Sequence, residues 1–243
     1  MEPRERIQGI EASPLLPSGS GDRFAGYAVI GLPFRSGHVL ALRRFPASSL
    51  GPAYTSIWHR DPTGNWTFYS TIAPEQSCAR YFGSQIEQNV HAHIDLEWIG
   101  PNEFRVIVDG VRPLTWEIKL TETCASRLMN VAAHFMPDAW WQSRLMLRVL
   151  AFAARLVLGT GKMNLAGRTP NGQKFIANPQ RVWLVKSSHA IVNGVNAGSV
   201  GPLPTQARLN DFLVPQRGIF AVARAFVEKT AGEPDAIIEA GCS

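Results

Sequence analysis

The stretch Leu114-Thr115-Trp116-Glu117-Ile118-Lys119-Leu120-Thr121 alternates apolar and polar residues without a break. Successive side chains of a strand point to opposite faces, so this period of two marks a half-buried β-strand. A few residues on, the spacing changes. Leu128, Ala132 and Phe135 fall at i, i+4 and i+7, on one face of a helix. Pro137 interrupts, Asp138 is suited to cap a second helix running to about Leu158, and Gly159 supplies its stop. The switch near residue 125 therefore sets a helical pair over 125–160 inside a chain that is otherwise patterned for strands.

Working back from Leu114, the pattern is one of repeated hairpins. Val39–Phe45 reads as a strand. Tyr54–Arg60 and Trp66–Thr71 flank Asp61-Pro62-Thr63-Gly64, a type I turn sequence with Pro in its second place. Val90–Ile99 and Glu103–Val108 flank Gly100-Pro101-Asn102. Working forward, Met163–Arg168 and Gln173–Ala177 flank Thr169-Pro170-Asn171-Gly172, and Asn-Gly is the strongest short hairpin signal. Arg181–Ser187 and Ala190–Val192 read as short strands, and 193–217 as a long loop. In Gly218–Lys229, Ile219, Val222, Ala223 and Phe226 fit a helix.

Hairpins, a helical pair and more hairpins predict an α+β fold, mainly antiparallel, with helices to one side of the sheet. So many short strands favour a strongly curved sheet or barrel, by analogy with lipid-binding barrels. Residues 1–23 mix acids, bases, Pro and Ser and read as a flexible N-terminal tail, leaving one β-rich domain over 24–243.

The chain has 243 residues, is 45% hydrophobic and 18% charged, and carries a formal net charge of +5. That apolar content excludes a disordered chain. Three widely spaced cysteines, Cys78, Cys124 and Cys242, exclude a disulfide scaffold and suit a reducing cytoplasm. No apolar run is long enough for a membrane span, and residues 1–23 hold no secretory signal pattern. The positive charge is concentrated. Between residues 125 and 181 there are eight Lys or Arg and one acid, Asp138.

Two constellations stand out. In His91-Ala92-His93-Ile94-Asp95-Leu96-Glu97-Trp98, a strand would direct His91, His93, Asp95 and Glu97 to one face. His91, His93 and Asp95 are the acid–base candidates. The spacing H-x-H-x3-E resembles the first metal motif of the cupins. That resemblance implies an alternative site in which His91, His93, Glu97 and the later His189 hold a divalent metal. The preferred reading uses no metal and no redox cofactor.

The second constellation is the helix after Asp138. Arg144, Arg148 and Arg155 fall at about 0°, 40° and 20° around its axis, one narrow stripe in a nearly apolar segment. Arg144 and Arg148 are suited to an acidic group on a ligand, with Trp140, Trp58 and Tyr81 as aromatic pocket walls. The same stripe suits an anionic membrane surface. Basic residues are not interleaved with the aromatics, so nucleic acid is not the expected partner.

These features together predict an enzyme acting on a hydrophobic small molecule by metal-free acid–base chemistry in a barrel pocket, of hydratase, isomerase, cyclase or hydrolase type. The alternative from another class is a non-catalytic carrier of an apolar ligand or a membrane-surface protein.

Overall fold

The computed structural model describes residues 2–137, 140–141 and 143–229. Asp138, expected as a helix cap, and Cys242 lie outside them. The elements are α1 (Pro3–Ala12), β1 (Asp22–Pro33), β2 (Val39–Ser48), β3 (Tyr54–Arg60), β4 (Trp66–Ser70), β5 (Gln88–His91), β6 (Ile94–Gly100), β7 (Glu103–Val108), β8 (Leu114–Thr121), α2 (Cys124–His134), α3 (Arg144–Leu158), β9 (Ala166–Arg168), β10 (Lys174–Val192), β11 (Val195–Asn196), β12 (Arg208–Leu209), β13 (Phe212–Leu213) and β14 (Ile219–Val227). Short 3-10 turns fill 74–85 between β4 and β5. The fold is α+β, as the patterning predicts.

Twelve strands make one sheet, whose path runs β5-β4-β3-β2-β1-β14-β10-β8-β7-β6, with β9 and β11 pairing to β10. Pairing is antiparallel except between β4 and β5. The ends of the path, β5 and β6, are separated in sequence only by Ala92 and His93. Three peptide steps reach at most about 11 Å, so the sheet must curl until its edges approach. Ala92 N–H donates to the Ser70 carbonyl at the end of β4 (3.0 Å), and Asp109 N–H donates to the His93 carbonyl (3.2 Å). The result is a curled half-barrel.

Its inside is filled. One core cluster takes Tyr27 and Val29 from β1, Ile57 from β3, Val106 from β7, Trp116 from β8 and Phe220 from β14, with Val90 and Leu96 from the two edge strands packed on it. Because both edges send side chains into this cluster, it occupies the hollow of the curl. The space that the barrel analogy reserves for a ligand is a packed core.

β14 corrects the helix expected over Gly218–Lys229. It is the central strand between β1 and β10. Both of its faces are covered, so the polar alternation that marks a half-buried strand is absent. What alternates is size: Phe220 and Val222 enter the inner core, while Ala221, Ala223 and Ala225 face the other side. The two short strands expected at Arg181–Ser187 and Ala190–Val192 are one strand, β10, carried through by bulges at Pro179/Arg181 and Val185/Ser187.

The N-terminal segment, expected as a free tail, forms α1 over most of its first half. Ile7 is buried in the inner core. Glu11 accepts a bidentate pair of bonds from Arg44 (2.9 and 2.8 Å) and one from the Tyr27 hydroxyl (2.9 Å). Between α1 and β1, Gly19 and Gly21 both take positive φ.

Candidate ligand-binding site

The outer face of β1, β14 and β10 carries small residues. Gly26 and Ala28 on β1, Ala221, Ala223 and Ala225 on β14 and Ala177 on β10 leave a shallow floor. α2 and α3 lie over it. Asn130 of α2 fixes that roof: its side-chain amide donates to the Val182 carbonyl (3.0 Å), and its side-chain oxygen accepts from Val182 N–H (2.7 Å). Val182 follows the β10 bulge, and Asn130 supplies both partners for its backbone. α3 starts at Ser143, whose side chain caps Met146 N–H, and ends at Gly159 with φ 65°. Between floor and roof lies a cavity of about 190 Å³. Its walls are Phe24, Phe45, Trp58, Tyr81, Phe82 and Phe212, with Met129, Leu150, Ala154 and Leu158 from the helices.

Arg43 and Arg224 are the charged residues of this otherwise apolar lining, and one of them is buried. Arg43 is 7% exposed. Its guanidinium donates to the carbonyls of Val29 (2.8 Å), Leu42 (2.9 Å) and Ile30 (3.0 Å). The β1–β2 register shifts between Val29 and Leu32, and this bulge turns the Val29 and Ile30 carbonyls toward Arg43. The guanidinium carbon lies 4.4 Å from the Trp58 ring centroid and 5.4 Å from that of Phe212. Arg43 makes no ion pair with a carboxylate among the described residues. Burial pulls its pKa down to about 10, so it stays charged at neutral pH.

Beside it are protonated groups. Cys78 lines the cavity and is fully enclosed. Burial pushes its thiol pKa up, against the Tyr54 hydrogen bond and the Arg43 charge, which pull it down. The Tyr54 hydroxyl accepts from Cys78 N–H (3.0 Å), and burial holds its pKa well above the ordinary value. Tyr81 also lines the cavity and donates to Asp22 (2.6 Å). Burial and the Asp22 carboxylate raise its pKa. The Trp58 indole N–H is buried with no hydrogen-bond partner among the described residues. The cavity is thus mainly apolar, with Arg43 buried in its wall and Arg224 as a second cation in its lining, and it is bordered by an S–H and phenolic O–H groups. No Asp, Glu, His or Lys is among its described lining residues.

The structure separates the residues singled out from sequence. Trp58 and Tyr81 line the cavity. Trp140 is exposed, and its neighbour Trp141 takes the wall position. Arg144 and Arg148 do not reach the cavity; with Arg155 they line an open groove of about 500 Å³ on the outer side of α3. His91, His93, Asp95 and Glu97 sit at the exposed rim and outer face of the edge strands, away from the cavity. His93 lies 3.5 Å from Asp95 and 3.6 Å from Asp109, and these three exposed side chains are close enough to share one ion. The cupin-like set does not converge in this way. Glu97, Arg105, Glu117 and His189 are successive register partners across β6, β7, β8 and β10, a cross-strand row in which Arg105 stands between two carboxylates. Arg105 bonds Glu117 at 2.8 Å and lies 3.9 Å from Glu97, while His189 meets Asn196.

Arg43 was not among the sequence candidates. Its signal is parity: in Val39-Leu40-Ala41-Leu42-Arg43-Arg44-Phe45 it shares a face with Val39, Ala41 and Phe45, all buried.

No family model matches the chain, and no curated protein matches it. Among solved structures, a crystal structure of acetoacetate decarboxylase from Legionella pneumophila is similar over 89% of this chain and 89% of that chain, at 12% identity and a TM-score of 0.33. At those values the likeness is a distant one in overall shape, and the chemistry has to be read from the cavity itself.

Proposed function

We propose that this protein is a lyase acting, without a metal, on a small apolar molecule that carries a carboxylate or a comparable anion. The observation that supports it is Arg43, a buried guanidinium bonded only to carbonyls and open to an anion in an apolar cavity. An isolated buried cation is costly, and an anionic ligand offsets that cost.

The groups around Arg43 narrow the reaction. Among the described residues the cavity offers the buried Arg43 cation, with Arg224 also in its lining, and weak acids held protonated, and no carboxylate, imidazole or amine. Among those described residues, reactions that begin by removing a proton find no base, and imine formation finds no amine. Loss of CO2 from a carboxylate that has a carbonyl β to it needs neither. Transfer into an apolar cavity raises the energy of the carboxylate relative to neutral CO2. The C–C bond breaks, its electron pair moves onto the carbonyl oxygen as an enolate, and Arg43 stabilises that negative oxygen. The Cys78 thiol then protonates the carbanionic carbon and is reprotonated from water. One proton is consumed per CO2 released.

The second reading is a carrier. It is favoured by the upward shift of every thiol and phenol beside the cavity, which leaves them poor proton shuttles. Native mass spectrometry of protein isolated from its host identifies a retained ligand. Incubating that class of acid with the protein in D2O separates the readings. CO2 release with deuterium at the former carboxyl position, lost in Arg43→Met and slowed in Cys78→Ser, supports the lyase. Stoichiometric binding with no turnover assigns the carrier, and no acid bound at all overturns both.

A further inference from the structure

The roof of the cavity has a second, outward face. On α3, Leu145, Val149, Phe152 and Leu156 fall at about 80–140° around the axis when Arg144 is set at 0°. All four are exposed, Leu145 by 72%. The Arg144, Arg148 and Arg155 stripe at about 0–40° runs directly alongside. On α2, Leu128, Val131 and Phe135 are exposed too, Phe135 by 77%. An apolar strip of this size on adjacent helices is uncommon on a soluble surface.

The charge beside the strip says what covers it. From Thr123 to Asn210 the chain has ten Lys or Arg and one acid, Asp138. Arg144, Arg148 and Arg155 have no acidic partner among the described residues. The groove they line continues to Lys162, Arg168 and Lys174 of the following hairpin, with Asp211 as its single acid. A two-fold contact between copies would set these basic stripes against each other, because such an interface pairs the same patch with itself. A bilayer of anionic phospholipid satisfies both halves of the surface: acyl chains meet the apolar strip, and phosphates meet the flanking arginines and the groove.

We propose that the outward face of α2 and α3 docks on an anionic phospholipid bilayer, and that the cavity under these helices exchanges its apolar ligand with that membrane. The docking stands on the surface alone; the exchange rests on the ligand reading of the cavity. The same helices supply both, since Met129 and Ala133 of α2 and Leu150, Ala154 and Leu158 of α3 roof the cavity.

The test is flotation of the full chain with vesicles of phosphatidylcholine alone or with a third of phosphatidylglycerol. The expected result is binding to the anionic vesicles only, weakened in high salt. Arg148→Glu with Arg155→Glu, and separately Phe152→Ser with Leu156→Ser, are each expected to lower partitioning at least tenfold with the circular dichroism spectrum and Tm retained. Arg43→Met is expected to float like the parent, so failure of the cavity reading is seen separately from failure of docking. No flotation at low salt overturns docking, as does flotation unchanged by both surface variants. A lipid-free dimer that Phe152→Ser with Leu156→Ser dissolves assigns the face to a second copy and overturns it. Flotation only after removal of residues 230–243 assigns the face to the chain's own end and overturns it equally.

Discussion

The guanidinium of Arg43 stacks on Trp58, 4.4 Å from the ring centroid, with its N–H groups turned to the carbonyls of the β1 bulge. This arrangement fixes the cation without neutralising it. Replacing a buried, unpaired charge by an apolar side chain of similar length is neutral or stabilising, whereas removing the cation from an anion site is not. Arg43→Met is therefore expected to keep or raise the urea midpoint while weakening binding of the acidic ligand by 10- to 100-fold or so, the worth of a charged hydrogen bond. Denaturation and titration calorimetry on the same variant check both halves. A large loss of stability would show that Arg43 is structural.

Ala223 lies on the cavity floor, opposite Gly26 of β1. A larger side chain there enters open space instead of packed atoms. Ala223→Leu is expected to change stability by no more than about 1.5 kcal/mol and to abolish ligand uptake. Thermal unfolding with and without ligand measures this: the ligand-induced rise in Tm should vanish.

Cys78 and Cys124 differ in setting, the first enclosed and the second exposed. Burial raises the Cys78 pKa, and the Arg43 charge partly offsets it. Iodoacetamide at pH 8 should label Cys124 readily and Cys78 only on unfolding. Bound ligand should protect Cys78 further. Mass spectrometry of tryptic peptides over time reads both.

His59 is buried, and its Nε2 lies 2.9 Å from His38 Nδ1. Burial, helped by the His38 charge, pushes its pKa down to about 4. An unfolded histidine titrates near 6.5 or so, so between those values the unfolded chain binds more protons. Stability is full above about pH 6.5, falls as pH drops through the window, and levels off near pH 4, a loss of about 3 kcal/mol. His59→Phe should flatten that slope in urea titrations at pH 7, 5 and 4. An unchanged slope would place the acid sensitivity elsewhere.

β6, β7 and β8 were legible because each has one wetter face, as in Leu114–Thr121, whereas β3 and β4 are buried on both faces and were legible from the Asp61-Pro62-Thr63-Gly64 turn between them. The helical pair was legible because 3.6-residue spacing appears at Leu128, Ala132 and Phe135. β14 was not, since a strand buried on both faces has no polar alternation, and its Ala-rich side mimics helix composition. The cavity walls Trp58 and Tyr81 could be named as aromatic, but not the face of the sheet that would gather them. The prominent His91–Glu97 pattern reports the exposed exterior of the curl, but the single strand expected over Val90–Ile99 is two, since β5 ends at His91 and β6 starts at Ile94. Arg43 was obscured by its neighbour. The pair Arg43-Arg44 reads as surface charge, yet only Arg44 finds an acid, Glu11.

The position of β14 has a consequence for how the molecule is made. β1 leaves the ribosome long before one of its two partners, β14, which is nearly 200 residues further on in sequence. Until then the β1–β5 meander has a free edge at β1, and β10 has one as well. The seam between these halves closes only through β14, so among the described strands it carries the longest-range pairing in the sheet. Chains dominated by such pairing fold slowly and expose unpaired edges while they wait. The interval between synthesis of β1 and pairing with β14 is therefore the one in which the molecule most needs a chaperone.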